Sequence, residues 1–418
     1  MKITYVLMHA YGMGGTIRTV INQAAAMAEA GHEVQIASVI RRRGRPQFPI
    51  DPRVRLITLD DQRGANAPPR PPRPSRTGRL LERLERRLGR RLRRPRPVPV
   101  PPGWEPGPEV PAGEAAKEVF TRRVEERVIE FLQSLQEGVV VTTRPGLNLL
   151  SARYAPPHLV RIAQDHMHLD RYKPDVREAI ASDYPRLDAV VSLTRRDEAA
   201  YRRALGGRVR TAQIPNPLHT LQVPRTDHSA KVVAAAGRLT RQKGFDLLIE
   251  AFAQVVRRHP DWTLRIYGGG PWEGRLRNLI HRRHLYNHVF LMGTSRDLDR
   301  ELAQASIYAL SSRFEGFAMV VLEALNCGLP LVSFDCPTGP REVIRDGENG
   351  LLVPPEDPGA MAGALCRLIE DRRLRRRLGA AAIDTAAEYG PEAIRRRWEE
   401  LFTELLAAKR AEGTVLPA

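Results

Sequence analysis

Residues Ser311–Pro330 read SSRFEGFAMVVLEALNCGLP. The four apolar residues directly before them, 307–310, have the pattern of a short buried β-strand. From 318 to 327 the apolar residues follow helical spacing, and Gly328 stands where helices commonly end. A strand that passes through a short loop into a helix is the building unit of doubly wound parallel sheets, so this stretch predicts an α/β fold.

The loop of this unit predicts a ligand site. A helix that begins directly after a loop presents free N–H groups and a partial positive charge, which suit an anion such as a diphosphate. Gly316 lets a ligand approach the backbone closely, and Glu315 places a carboxylate beside it. Glu323, two turns into the helix, has the position to accept two hydroxyls of a ribose. The alternative is that both glutamates are solvated residues of a surface helix.

Length and composition restrict the class of protein. A chain of 418 residues is expected to form two domains of about 200 residues each. The sequence has no apolar run long enough to span a bilayer and begins with a strand-like segment, so we expect a cytoplasmic protein. The three cysteines, Cys327, Cys336 and Cys366, are scattered, which indicates neither a disulfide framework nor a zinc site.

The net charge of +18 is concentrated in one segment. Residues 62–113 contain thirteen of the 34 prolines and are predicted to form neither sheet nor compact core. Within them, 76–96 is rich in arginine and has leucines every four residues, from Leu80 to Leu92. This pattern is typical of a helix that lies on an anionic membrane, such as the inner face of the cell membrane. A solvated insert explains it equally well, and nucleic acid is not expected because aromatic residues are missing.

The rest of the chain alternates strand and helix patterns twice. We predict one Rossmann-like domain over 1–214, interrupted at 62–113, and a second over 215–390. A final helix, 391–418, follows. One helix is expected over 114–136. Ligands of such sheets bind beyond the carboxyl ends of the strands, so the cleft between the two domains is the expected site.

Two further loops carry candidate residues. GRLTRQKG, at 237–244, follows a predicted strand and offers Arg238 and Lys243 to a diphosphate, unless both are solvated surface cations. GMGG, at 12–15, places Gly14 and Gly15 at the start of the first helix. These glycines either face a phosphate or the acceptor across the cleft or form a plain tight turn. Asp297 and Asp299 look like a metal motif but stand where a helix begins, so we interpret them as capping residues.

Together these motifs resemble the retaining, nucleotide-sugar-dependent glycosyltransferases of the GT-B fold, in the glycogen-synthase-like bacterial group. The resembling pieces occur in the family's order: GMGG, GRLTRQKGFDLLIEAF, YGGGP, FEGFAMVVLEALNCGLP and PTGPREVIRDGENGLLV. The last piece is similar to enzymes that glycosylate teichoic-acid-like wall polymers. The resemblance implies a sugar nucleotide as donor, with UDP favoured, no cofactor, no metal, and a glycan, polymer or lipid-linked acceptor.

The resemblance also implies roles for particular residues. Arg238 and Lys243 would bind the donor diphosphate, Glu323 the ribose and Glu315 the transferred sugar. Backbone amides of Gly316 and Phe317 would contact sugar or phosphate. The resemblance further implies that the helix over 391–418 crosses back onto the first domain.

The resemblance also implies a functional histidine directly after a strand of the first domain, where the sequence reads AQDHMHLD. We favour His166 over His168, with Asp165 orienting either ring. His9, at the end of the first strand, is a further candidate for the cleft.

Other functions fit parts of the sequence. A sugar-nucleotide 2-epimerase shares the fold and would consume its substrate without an acceptor. A phosphorylase would need a lysine for pyridoxal phosphate, for which the sequence has no clear candidate. A non-catalytic module that binds a membrane or nucleic acid through the arginine-rich segment is the third alternative, and it has no need of the Arg238, Lys243, Glu315 and Glu323 set.

Overall fold

The computed structural model describes residues 1–67, 101–295, 297–317 and 319–414. The strands are β1 (Lys2–Leu7), β2 (Glu33–Arg41), β3 (Arg55–Asp61), β4 (Val139–Thr142), β5 (Val160–Asp165), β6 (Ala189–Ser192), β7 (Arg210–Gln213), β8 (Val232–Ala236), β9 (Thr263–Tyr267), β10 (Val289–Gly293), β11 (Ile307–Leu310), β12 (Leu331–Phe334) and β13 (Gly350–Val353). The α-helices are α1 (Gly15–Glu29), α2 (Arg122–Ser134), α3 (Pro145–Tyr154), α4 (Pro174–Asp183), α5 (Arg195–Leu205), α6 (Phe245–Arg258), α7 (Glu273–Arg282), α8 (Leu298–Ala303), α9 (Met319–Asn326), α10 (Pro340–Val343), α11 (Pro358–Glu370), α12 (Arg372–Ala387) and α13 (Pro391–Thr414).

The strands form two parallel sheets, which confirms the predicted pair of doubly wound α/β domains. The first sheet has the order β3-β2-β1-β4-β5-β6-β7 and the second the order β10-β9-β8-β11-β12-β13. In each sheet the strand order reverses beside the first strand, between β1 and β4 and between β8 and β11. A ligand crevice is expected at this reversal, beyond the carboxyl ends of these strands.

Apolar side chains on both faces hold each sheet in its layer of helices. The central strands β1, β4, β8 and β11 are buried along almost their whole length, as parallel strands covered on both sides must be. The last helix, α13, packs Ile394, Trp398 and Phe402 into the core of the first sheet rather than the second.

The chain passes between the two cores at two neighbouring points. Ile214 belongs to the core of the first sheet, and Leu218 belongs to the core of the second. The Leu218 amide donates a hydrogen bond of 2.8 Å to the carbonyl of Tyr389, where the chain returns toward α13. The exact boundaries of 1–214, 215–390 and 391–418 stay predictions.

The interrupted region differs from the sequence prediction. The helix expected over 114–136 begins only at Arg122, because Glu114 and Lys117 turn inward and use their side chains elsewhere: Glu114 pairs with Arg144, and Lys117 donates to two carbonyls. Nor is all of 62–113 outside the core, since Val110 is buried in the core between α2 and the sheet. The predicted membrane helix over 76–96 lies outside the described residues.

Within the part of the chain that the structure describes, no helix has both the length and the hydropathy needed to cross a membrane.

Candidate functional site

The loops after β8 and β11 bring two of the predicted residues into direct contact. The Lys243 ammonium donates a hydrogen bond of 2.6 Å to Oε1 of Glu315, and the Ser312 hydroxyl donates one of 2.5 Å to the same oxygen. Only 6% of the Glu315 side chain is exposed, against 17% for Lys243. An ion pair this buried holds both groups in fixed positions. The carboxylate and the ammonium therefore form one unit at the end of the second sheet.

Close backbone contact locks the same two loops together. Gly244 has a φ of 61°, and a Cβ added there would lie 1.9 Å from the Ser311 carbonyl oxygen. The Arg313 guanidinium reaches back to Asp246 with two hydrogen bonds, of 2.9 and 3.0 Å. Glycine is required at 244 because a side chain would be both strained and in collision with the neighbouring loop.

The YGGGP turn packs against the loop that carries Arg238 and Lys243. Gly268 has a φ of 139°, and a Cβ there would lie 1.9 Å from the carbonyl oxygen of Gly237. The amide of Leu239 donates a hydrogen bond of 3.0 Å to the carbonyl of Gly269. The turn that sequence alone left without a role thus positions the loop that carries Arg238 and Lys243.

The other predicted residues of this half lie around the ion pair. The Arg238 side chain is exposed and makes no ion pair with the residues that the structure describes. The Phe317 ring packs on Tyr389, with 6.0 Å between ring centroids. A Cβ added to Gly316 would lie 3.1 Å from the His166 carbonyl oxygen, which places this loop directly against the first domain.

Glu323 already has a partner from the first domain. Nη1 of Arg18, in the first turn of α1, donates a hydrogen bond of 2.9 Å to its Oε1. Only 10% of the Glu323 side chain is exposed, and this burial raises its pKa although the charge of Arg18 acts in the opposite direction. The sequence predicted the carboxylate but missed Arg18, a polar residue among the apolar positions of α1.

The first domain contributes a cavity of about 740 Å³ at the carboxyl ends of β1, β4 and β5. Gly14 and Gly15 line it at the start of α1, where no side chain caps the helix. The cationic residues Arg144, Arg171 and Lys173 lie in the same wall, and Arg171 also covers the Phe314 ring of the second domain at 4.0 Å. The cavity therefore borders the loop that carries Glu315.

The structure separates the two candidate histidines. His166 lines the cavity, and its Nε2 is buried without a hydrogen-bond partner among the described residues. Burial lowers the pKa of His166 to about 4, so the ring is neutral near pH 7. His168 instead accepts a hydrogen bond of 3.1 Å from the Asp170 amide and lies 3.8 Å from Asp197. His168 thus has a local structural role, whereas His166 has a free nitrogen at the cavity.

The prediction that Asp165 orients a histidine ring is wrong. Its carboxylate points into a buried cluster, where it accepts hydrogen bonds from the hydroxyls of Tyr172, Tyr184 and Tyr201 at 3.2, 3.0 and 2.7 Å. Burial raises its pKa to about 6, although these hydroxyls favour the charged form. Asp165 thereby holds Tyr172, which lines the cavity, and does not act on His166.

A second, smaller cavity of about 310 Å³ continues from the first. His9 and Met13 line both, and Arg42 and Arg43 lie in the wall of the second one alone. A Cβ on Gly12 would lie 2.1 Å from the His9 ring, so the glycine at this position leaves space for the imidazole.

The Asp297 prediction is confirmed as a helix cap: its Oδ1 accepts a hydrogen bond of 3.3 Å from the Arg300 amide at the start of α8. Asp299 lies 3.1 Å from His219 rather than beside a shared site with Asp297.

Comparison with known proteins gives the class to which this geometry belongs. Residues 220–385 match the family model described as "Glycosyl transferases group 1". The chain is 30% identical over 248 residues to the amylovoran biosynthesis glycosyltransferase AmsD of Erwinia amylovora, covering 58% of this chain and 69% of that protein. The protein belongs to the group 1 glycosyltransferases.

Other relatives act on surface polymers by name. An exopolysaccharide phosphotransferase of Streptomyces coelicolor is 35% identical over 413 residues, which is 98% of this chain but only 41% of that protein. A poly(glycerol-phosphate) alpha-glucosyltransferase of Bacillus subtilis is 25% identical over 301 residues, covering 67% of this chain and 43% of the relative. The chain thus spans less than half the length of both.

A solved structure shows the same fold over the whole chain. A mutant of the S. aureus protein TarM, in complex with fondaparinux, α-GlcNAc-glycerol and UDP, superimposes with a TM-score of 0.72 at 15% identity. The match covers 96% of this chain and 99% of that one. The two Rossmann-like domains are therefore arranged as in the GT-B glycosyltransferases.

Proposed function

We propose that this protein transfers a sugar from a nucleoside diphosphate sugar, with UDP as the favoured nucleotide, to a hydroxyl of a surface glycan, wall polymer or lipid-linked intermediate. The observation that carries the proposal is the pair of coupled loops at the reversal point of the second sheet, where Lys243 and Glu315 lie 2.6 Å apart beside the exposed Arg238. The family match favours transfer over the epimerase and binding-module alternatives.

The proposed roles follow from the chemistry of each group. Arg238 and Lys243 would neutralise the negative charge that develops on the departing diphosphate, so that no metal ion is needed. The backbone around Gly316 and Phe317 and the start of α1 at Gly14 and Gly15 would add N–H donors to this anion. The cationic pair supports the assignment because Lys243 is fixed by an ion pair and the side chain of Arg238 is exposed.

The transferred sugar would lie between the two halves of the site. Glu315 would accept hydrogen bonds from its hydroxyls, and the neutral His166 would hydrogen-bond to it through Nε2. In the proposed reaction the acceptor hydroxyl attacks the anomeric carbon on the face that the diphosphate leaves and gives its proton to the departing diphosphate oxygen, so that configuration is retained. Closure of the cleft would keep water from taking the acceptor's place.

Glu323 would bind the ribose hydroxyls after exchanging its bond with Arg18 for bonds to the nucleotide. The proposed setting is the cytoplasmic face of the membrane, with the arginine-rich residues 76–96 as the contact to anionic lipid.

A thermal-shift comparison of UDP, GDP, ADP and TDP tests the donor site. A ligand that binds only the folded state at about 100 times its Kd stabilises the protein by about 2.7 kcal/mol, which raises the melting temperature measurably. We expect UDP to give the largest shift, and Glu323→Gln to abolish it. Arg18→Gln is the matched variant from the other side of the same bond, and it should keep the shift or increase it because the competing donor is gone. A well-folded protein that responds to none of the four nucleotides would contradict the proposal.

A further inference from the structure

The second cavity of the first domain, lined by His9, Met13, Arg42 and Arg43, is not used by any step of the proposed reaction. It adjoins the first cavity, because His9 and Met13 line both. A chain that enters the first cavity with its accepting hydroxyl can therefore extend into the second one.

Three consecutive arginines at the end of β2 behave differently. Arg41 is used by the protein itself: its Nη2 donates a hydrogen bond of 2.7 Å to the Gly44 carbonyl, and its guanidinium covers the Tyr11 ring at 4.8 Å. Within the described residues, the Arg42 side chain is held only by its Nε, which donates a hydrogen bond of 2.9 Å to Gln62. Arg43 makes no side-chain hydrogen bond or ion pair with any residue that the structure describes.

The Gln62 side chain that holds Arg42 belongs to a series of hydrogen-bonded polar groups. Gln62 donates to Asp60 at 2.8 Å, and Arg123 donates to the other oxygen of Asp60 at 2.6 Å. Gln62 and Asp60 are both almost fully buried. The position of Arg42 is therefore fixed, while its two terminal nitrogens have no partner among the residues that the structure describes. A guanidinium held in this way can bind an anion without losing the freedom of a mobile side chain.

The two cavities also differ in charge. In the first, the carboxylates of Glu114 and Glu118 lie among the cations. Among the described residues, those that line the second cavity include two arginines and a histidine but no carboxylate. The charges of Arg42 and Arg43 act on His9, where together with burial they lower its pKa.

From this geometry we infer that the second cavity is an acceptor subsite for an anionic group, and specifically that it binds a phosphodiester of a polymeric acceptor through Arg42 and Arg43. The inference rests on the proposed function, whose acceptor it assigns to the class of phosphate-bearing chains. One guanidinium fork matches the oxygens of one phosphate, so the pair suits a repeating phosphodiester better than a neutral glycan.

Binding of a fluorescent glycerol-phosphate hexamer tests the subsite, with a labelled dextran hexasaccharide as the neutral comparator. We expect the Arg42→Gln, Arg43→Gln double variant to bind the phosphate hexamer about tenfold more weakly, and the dextran unchanged, since two charge-assisted contacts are lost. The double variant Arg257→Gln, Arg376→Gln removes the same charge from exposed positions of the second domain and should bind both probes as the parent does. Arg43→Glu alone changes a side chain that has no partner in the described part of the chain, so it repeats the test without loss of a contact that stabilises the fold.

The proposal is overturned if the parent does not bind the phosphate hexamer, if the Arg42 and Arg43 variants bind it as tightly as the parent, or if the control variant loses as much, which would show general attraction between opposite charges. The nucleotide shift is measured separately on the same samples. A protein that binds the hexamer through Arg42 and Arg43 but responds to no nucleotide would keep the subsite and lose the proposed reaction.

Discussion

The loops around Glu315 and the cavity around His166 face one another across the cleft, yet their polar groups are satisfied to different degrees. Glu315 accepts hydrogen bonds from Lys243 and Ser312, and glycines bring the surrounding backbone into direct contact. Across the cleft, Nε2 of His166 is buried without a partner among the described residues, and Arg43 has none for its side chain. The loops around Glu315 thus hold this carboxylate and Lys243 in place before a ligand arrives, whereas the cavity leaves His166 and Arg43 for the ligand to satisfy.

The largest expected effect comes from removing Lys243, the charged partner of Glu315. Lys243→Met leaves the Glu315 carboxylate buried with one hydroxyl as its partner, which should lower the free energy of unfolding by about 3 kcal/mol. It also removes a cation from the developing diphosphate, so kcat/KM for sugar transfer should fall by about 100-fold to 1,000-fold. Urea unfolding and initial rates measure the two effects.

Adding Glu315→Gln to Lys243→Met separates stability from activity. The neutral pair no longer buries an unpaired charge, so the double variant should regain most of the lost stability but none of the activity. Equal stability of the single and double variants would show that the ion pair does not hold these loops.

The YGGGP turn offers a test of similar design at a smaller scale. Gly268→Ala puts a Cβ 1.9 Å from the Gly237 carbonyl oxygen at a φ of 139°, and should cost about 2–3 kcal/mol and weaken nucleotide binding. Gly269→Ala is the control in the same turn, because its Cβ would meet only the Thr294 methyl at 3.5 Å, and it should change stability by less than about 0.5 kcal/mol. Calorimetry would contradict the account if both variants melted alike.

The smallest expected effect concerns His166, whose Nε2 has no partner among the described residues, and this effect depends on pH. The pKa of His166 falls from 6.5 to about 4 on folding, so the unfolded chain takes up a proton in this window that the folded chain does not. The free energy of unfolding should therefore decrease as pH falls from 6.5 to 4. His166→Gln should lessen this decrease by on the order of 1 kcal/mol, a value reduced for the partial exposure of the ring.

Asp165 acts in the opposite direction and must be separated from His166. Its folded pKa is raised from 3.8 to about 6, so its contribution is present at low pH and is lost as pH rises through 6. Asp165→Asn supplies the matched control, since it removes the pH dependence due to Asp165 and leaves the pH dependence due to His166. Melting curves between pH 4 and 7 that are identical in shape for the parent and His166→Gln would refute the assignment.

The sequence predicted those features that depend on local pattern. The strand over 307–310, the glycine at the end of α9 and the cap at Asp297 follow from spacing and residue type within a few positions, and the structure has them where they were expected. The pairing of Lys243 with Glu315 was not predicted, although each residue was named separately, because nothing in either loop specifies how the two loops meet.

Features that depend on distant contacts escaped prediction. Asp165 is the last residue of the strand that leads to His166, yet the direction of its side chain is set by three tyrosines from later in the chain. Arg18 and Glu323 are 305 residues apart, and only the packing of the two domains brings them to 2.9 Å. The late start of α2 likewise depends on partners of Glu114 and Lys117 that lie outside the helix.

The hydrogen bond between the Leu218 amide and the Tyr389 carbonyl joins the two passages of the chain between the domains at one place. With Trp398 of α13 fully buried in the first core, the first domain is completed by residues from both sides of the second one in sequence. Cutting the chain once near 220 would therefore not release either half, because the second passage still connects them. Because both passages lie at one place, we expect the cleft to open by a hinge rotation about this place rather than by separation of the two domains.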